Sequence, residues 1–360
     1  MTRTTPAGST PADGPGPRPP GPQRLGVLFH VSGTGDPGRI LREHLRLAVI
    51  AEDLGFHSFW IAQHHLGAES GVVPSPFVYL AAVAARTDRI RLGTAVATLP
   101  LDDPLRVAED AALADLLSGG RIELGIGSGA HRPSFEAFGR DFEQRREDQE
   151  RAARLLEETL RGKPLPGGTL LHPPAPGLAD RIWEATVSGT ERARAAAAAG
   201  HGLLLSRSDV RGSLPVGEAQ LPTAQAYLDA FAGPPGSAPR LGVSRTVFPA
   251  ADRAAAVHDL APGARSWLAQ TASNWAGIAV PPADAEDDAL LRRQDIHAGP
   301  VEDVAAGLAA DPAVALATDL LVQLQPGLPS FGRAVAALEA VASSVAPALG
   351  IPLSHHADAG

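Results

Sequence analysis

A closed parallel (β/α)8 barrel is the fold class that the sequence predicts, and three observations predict it. Short apolar runs alternate with longer stretches of helical periodicity from Arg24 almost to the end of the chain. Eight such runs can be read, most of them followed by a helix, which favours a closed barrel over an open sheet. At 360 residues, with 44% hydrophobic and 20% charged, the chain is long and apolar enough to bury a sizeable core in one large domain.

The first strand is Leu25–Phe29, and the helix Ile40–Leu54 after it stops at Gly55, placed as a C′ glycine. Ser58–Ala62 is the second strand and Phe77–Arg86 its helix. Ile90–Val96 is the third, with a helix that starts after Pro104 and ends near Leu117. Arg121–Ile126 gives the fourth. A charged helix over Asp141–Arg161 then leads into Lys163–Gly177, whose prolines and glycines predict an irregular insertion. Arg181–Val187 and Gly202–Ser206 flank the alanine-rich helix Glu191–Ala199; Arg240–Phe248 is the seventh strand and Asp319–Leu324 the eighth. Between those last two lie about seventy residues, too many for a plain connection, so a second insertion is expected there, part helical and part lid. The reading is thus a single (β/α)8 barrel with insertions after strands 4 and 7. Residues 1–23, rich in proline and lacking an apolar export segment, read as a disordered leader, 24–350 as the barrel domain and 351–360 as a flexible tail.

Forty acidic residues against 31 basic ones give a net charge of −9 without any basic run, which speaks against nucleic acid and anionic membrane as partners. No apolar stretch reaches the roughly 18–20 residues of a membrane span. The absence of cysteine excludes disulfides, thiol nucleophiles, thiolate metal sites and iron–sulfur clusters. Lys163 is the only lysine, so lysine chemistry is confined to a Gly-Lys-Pro turn.

Barrel enzymes work at the C-terminal ends of their strands, which directs attention to four strand ends. The first ends Phe29-His30-Val31 and the second Gln63-His64-His65. A metal could take His30 with one of that pair, but the rest of a metallohydrolase set is missing, and no metal is expected. His65, and also His64, could equally pack against a neighbouring loop. The fourth strand runs into Gly125-Ile126-Gly127-Ser128-Gly129-Ala130-His131, where Pro133 argues that no helix opens at once as a dinucleotide fingerprint requires; these glycines suit close approach of a flat ligand. The fifth ends Ser188-Gly189-Thr190-Glu191, where Ser188 and Glu191 have capping-box spacing and the free amides of a helix start can also hold phosphate.

These residues resemble the bacterial luciferase-like, flavin-dependent monooxygenases. The resemblance rests on Ala51-Glu52-Asp53-Leu54-Gly55-Phe56 leading to Gln63-His64-His65, Pro74-Ser75-Pro76, Thr87-Asp88-Arg89-Ile90-Arg91-Leu92-Gly93-Thr94, Pro104-Leu105-Arg106-Val107-Ala108-Glu109-Asp110, Leu116-Leu117-Ser118-Gly119-Gly120-Arg121, Phe135-Glu136-Ala137-Phe138-Gly139 and Gly299-Pro300-Val301-Glu302-Asp303-Val304. Ala62-Gln63-His64-His65 and Ala175-Pro176-Gly177-Leu178 resemble an FMN-dependent branch of that family.

The resemblance implies a (β/α)8 barrel, FMN supplied in reduced form by a separate flavin reductase as diffusible FMNH2, reaction with O2 through a C4a-peroxyflavin, a small organic substrate, a homodimer and a cytoplasmic location. It implies His64 as the catalytic histidine, titrating near neutrality. It places a non-proline cis peptide against the flavin ring at Thr94-Ala95, cofactor contacts at Gly127, Ser128, Ser188, Gly189 and Thr190, and a phosphate-binding arginine at Arg146. His30 and His131 would line the substrate pocket. Two departures stand out: Gln63 where many relatives carry an acid, and Ser128 where many carry an arginine, a loss that Arg146 or Arg207 could offset. The alternatives are hydride transfer with the deazaflavin F420, or flavin binding without catalysis.

Overall fold

A computed structural model describes residues 21–66, 71–175, 177–207, 214–234, 236–274, 286–326 and 329–354. Strand β1 (Arg24–Phe29) leads to helix α1 (Pro37–Asp53), β2 (Ser58–Ile61) to α2 (Pro76–Ala84), and β3 (Arg91–Thr94), with the short β4 (Ala97–Thr98), to α3 (Pro104–Leu117). Next come β5 (Ile122–Gly127), α4 (Arg132–Ala137), α5 (Arg145–Leu160), β6 (Ile182–Thr186), α6 (Thr190–Ala198), β7 (Gly202–Leu205) and α7 (Val216–Ala230). After β8 (Leu241–Pro249) follow α8 (Arg253–Asn274), α9 (Asp287–Arg293), β9 (His297–Gly299), α10 (Val301–Ala309), β10 (Asp319–Gln323) and α11 (Phe331–Ala340), then the π-turn Val341–Val345 and α12 (Ala346–Ala348).

All pairings are parallel, and the sheet closes on itself. β1 pairs with β2 at Val27↔Phe59 and with β10 at Arg24↔Asp319, and β10 completes the circle against β8 at Asp319↔Gly242. Eight strands therefore form the barrel, β1, β2, β3, β5, β6, β7, β8 and β10, as the sequence predicts. Alternation along each strand sorts the side chains. Leu25, Val27 and Phe29 pack outward against the helices, while Leu28 joins Trp60, Trp183, Leu204 and Leu321 in a separate cluster on the axis.

Glycine makes room for that inner cluster. A Cβ on Gly93 would lie 2.0 Å from Trp60, and one on Gly202 2.4 Å from Trp183. The two indoles, at 5.6 Å and 88°, fill the tube edge to face. Below them the N-terminal floor is ionic. Arg24 holds Asp319 through two 2.7 Å bonds, and Glu123 takes Arg91, Arg240 at 3.6 Å and the Trp183 indole N–H at 2.6 Å. The Glu52 carboxylate accepts the amides of Asp88, Arg89 and Ile90, and Arg121 donates to the carbonyls of Ala84, Thr87, Ile90 and Ser118. These ties lock the turns at the bottom of the first strands.

Several expectations need correction. A helix, α4, does open shortly after the glycine stretch, with Pro133 in its first turn, where proline's missing N–H is harmless. Helix α7 and strand β9 were not foreseen, and Pro222 lies inside α7. The second insertion is largely α8, α9, β9 and α10, with 275–285 outside the described residues. Of the leader, 1–20 lie outside the described residues, but Gln23 already donates to the Thr318 carbonyl. The chain end is not free at once either: Ile351 is buried and Ser354 N–H donates to the Gly55 carbonyl at 2.8 Å, while 355–360 lie outside the described residues. Among the described residues no helix is long and apolar enough to cross a membrane.

Candidate functional site

The strand ends put His30 and His64 together at the mouth of the barrel. His30 Nδ1 and His64 Nε2 are 2.8 Å apart and the rings stack at 5.1 Å. His30 comes one residue and His64 three residues past the last ladder pair, Phe29↔Ile61, and the Gly71 turn presses on both: a Cβ there would meet the His30 carbonyl at 2.3 Å and His64 at 2.7 Å. Two imidazoles sharing one hydrogen bond cannot both be cationic. Burial, then the neighbouring His131 and His65, push His64 down to about 4. Burial, then His64 and Arg207, hold His30 well below the ordinary histidine range. Burial and the shared hydrogen bond favour a pair that is neutral at pH 7, one ring donating to the other, in place of the histidine titrating near neutrality that the resemblance implies. With Nε2 engaged, Nδ1 is the His64 nitrogen left for a reactant.

Around the pair the mouth is polar and partly unsatisfied. Gln323 bonds to the Ser244 hydroxyl, yet its Oε1, the Oε1 of Gln325 and Nη1 of Arg207 are buried without hydrogen-bond partners. Gln63 has a structural task that an acid could not perform. It accepts from Thr98 N–H and donates to the Pro74 carbonyl and Asp102, so it needs both an acceptor and a donor end. His65 packs edge-on against Phe138, and His131 bonds Ser134 Oγ at 2.7 Å, which in turn donates to the His65 carbonyl. His131 thus lies close enough to bear on His64 but is tied to its own helix. Among the described residues no group of three or more His, Asp or Glu is placed to hold a metal ion.

On the adjoining strands β3 and β5, and at the start of α6, the predicted cofactor residues divide. Thr94 is fully buried and spends its hydroxyl on the Gly125 carbonyl, so its side chain is not presented to a ligand. The non-proline cis bond is Ala95–Val96, one residue beyond the Thr94-Ala95 step expected. Ala95 faces the inner cluster, and Gly127 is required against Val96, which a Cβ would meet at 2.6 Å. Ser128 is partly exposed at the strand end.

The capping box is not formed. Gly189, at φ 128°, is the N-cap of α6, no side chain caps the helix, and Ser188 instead gives its carbonyl to the Thr186 hydroxyl. Gly189 N–H donates to Thr223 Oγ1, which leaves the amides that follow open to an anion. Arg146 is exposed on α5. Arg192, which the sequence did not single out, bonds Gln149 of α5 from the first turn of α6, and with Arg146 it lowers Arg145 after burial has done so. That cluster of cations beside an uncapped helix start suits a phosphate. Arg207 stands elsewhere, beside His30 and over the Trp267 ring at 4.2 Å. A cavity of about 530 Å³ lies off the axis between α1 and α11, lined by Phe29, Arg39, His44, Gln325 and Phe331 among others, and holds none of the expected site residues.

Comparisons with known proteins agree on fold and family. The crystal structure of monooxygenase RslO1 from Streptomyces bottropensis superposes with a TM-score of 0.72 at 24% identity, over 90% of this chain and 99% of that one. The oxygenating constituent of 3,6-diketocamphane monooxygenase of Pseudomonas putida, solved with FMN, gives 0.70 at 19% identity, over 92% and 99%. The 4-hydroxyprotoasukamycin monooxygenase of Streptomyces nodosus subsp. asukaensis is 41% identical over 106 residues, 29% of this chain and 28% of that protein. Such alignments span less than half the length of the curated relatives. Residues 25–320 match the family described as luciferase-like monooxygenase, and the chain belongs to that family.

Proposed function

We propose that the protein is a two-component monooxygenase that takes reduced FMN from a separate reductase and uses it with O2 on a small organic substrate. The observation that carries this reading is the neutral His30–His64 pair in the mouth of a barrel of this family. The residues fit FMN on two counts: an uncapped helix start flanked by Arg192 and Arg146 suits its phosphate, and the unpaired Oε1 atoms of Gln323 and Gln325 suit the edge of its ring. Ala95, Val96, Gly127 and Ser128 would form the wall against the ring, and Ser188, Gly189 and Thr190 the phosphate end. Bound in reduced form, FMN supplies the two electrons with which O2 is activated. The chain's part is to bind, to exclude water and to hold a proton: His64 Nδ1 gives or takes one while His30 fixes its tautomer. Leu113, Leu116 and Leu117 are exposed on α3, and Val78 on the neighbouring α2, exposed apolar side chains suited to a second copy of the chain.

The test is anaerobic titration with reduced FMN, oxidised FMN and reduced F420, followed by O2. Tightest binding of reduced FMN and an oxygen-dependent transient support the reading; preference for F420 without a transient replaces it with a dehydrogenase. His64→Ala is expected to leave FMN affinity unchanged and to cut product formation by about 100-fold, the low end for a positioned proton donor. Unchanged turnover would remove His64 from the chemistry.

A further inference from the structure

Arg207 follows β7 at the barrel mouth and is 4% exposed. Its Nη1 has no hydrogen-bond partner, and among the described residues no carboxylate pairs with it. Its one ring contact is the Trp267 face at 4.2 Å, which orients a guanidinium but leaves its in-plane donors free. Arg245, near it in the fold and fully buried, shows what a structural arginine looks like here: it is bonded to Asp311 at 2.7 Å, to Gln220 and to the carbonyls of Ser206 and Ser244. Leaving a cation both buried and unpaired opposes folding, and such a group persists where a ligand supplies the missing charge.

We propose that Arg207 is the anchor for a substrate carboxylate, and that the protein acts on small organic monoanions with an apolar body. The charge balance favours a monoanion, since one guanidinium compensates one charge and a dianionic phosphate would stay partly unpaired in so dry a site. The apolar body follows from the anchor's neighbours, the Trp267 face on which the guanidinium lies and the uncharged histidine pair beside it. Arg207 is close enough to His30 to hold its proton affinity down, so a carboxylate seated there brings the rest of the molecule beside the histidine pair. Burial lowers the guanidinium from its ordinary value, and a carboxylate beside it would offset that desolvation while the arginine stays charged.

The proposal rests on the monooxygenase reading only in taking the mouth as the substrate site, and benzoate against benzamide tests it separately. By calorimetry on the wild-type protein, benzoate is expected to bind at least about 10-fold more tightly than its neutral isostere. Arg207→Met should abolish that preference, leave FMN affinity unchanged, and hold or raise the thermal midpoint, because it removes a charge with no ion-pair partner among the described residues; Arg207→Lys should keep the preference. Equal or absent binding of the two probes to the wild type overturns the proposal. So does an Arg207→Met protein that is less stable, which would make the residue structural, or one that loses FMN, which would assign it to the cofactor. Failure of FMN to bind the wild type defeats the monooxygenase reading and leaves the benzoate comparison standing.

Discussion

The two ends of the barrel are built from the same strands but finished differently. At the floor, Arg24 is matched by Asp319 and Glu123 by Arg91, Arg240 and the Trp183 indole. At the mouth, Arg207, Gln323 and Gln325 keep buried polar atoms without partners, and two histidines are held neutral against each other. The floor network closes on folding; the mouth keeps groups for a bound molecule to engage. A fold can carry such an end because the floor and the inner cluster hold the tube shut independently of it.

The contrast can be broken most directly at the floor. Glu123→Ala strands two arginines and an indole N–H, and the expected loss is about 3–5 kcal/mol in urea denaturation, as for other buried pairs broken from one side. A loss below about 1 kcal/mol would reduce the floor network to the rank of surface ion pairs. A second test uses acid. Burial lowers His64 in the folded state to about 4 from the ordinary histidine value of 6.5, so its neutral form stabilises the fold fully above pH 6.5 and that contribution is lost as the pH falls towards 4. The shift corresponds to about 3 kcal/mol. His64→Gln should therefore flatten the fall in stability between pH 6.5 and 4.5, and an unaltered slope would show that the mouth does not sense acid through this residue. The smallest effect is expected at the helix start. Arg192→Ala should weaken FMN by about 10-fold while leaving riboflavin nearly unchanged, the mark of one lost charge-assisted phosphate contact; equal losses would move the phosphate elsewhere.

What was legible in the sequence follows the same division. The strands of the barrel declare themselves because each is a short apolar run ended by a turn, and three of the motifs that carry the family resemblance, Ala51–Phe56, Thr87–Thr94 and Leu116–Arg121, lie at the floor or start from it. Glu52 and Arg121 stand in two of them, and both are engaged with backbone groups of the bottom turns. Helix α7 escaped notice because Pro222 interrupts it and no side chain caps it; β9 is only three residues long. The chemistry of the mouth was less readable, since it depends on neighbours far apart in the chain. His30 and His64 are 34 residues apart, and nothing local to either indicates that they share a hydrogen bond and so lose their charge. Likewise Ser188 and Glu191 have the spacing of a capping box, but Gly189 takes the cap position. Arg192 carried no local signal that distinguished it from a solvated helix arginine.

The interlock of Trp60 with Gly93 and of Trp183 with Gly202 also constrains how this barrel can change over generations. A side chain added at 93 collides unless residue 60 has already shrunk, and shrinking the tryptophan first leaves a hole of the kind that costs about 3–5 kcal/mol. Either order passes through a less stable ancestor. The two glycine–tryptophan couples are therefore expected to be inherited as units, and the depth of the mouth above them with them, so new substrates reach this scaffold through its rim residues rather than through its bore.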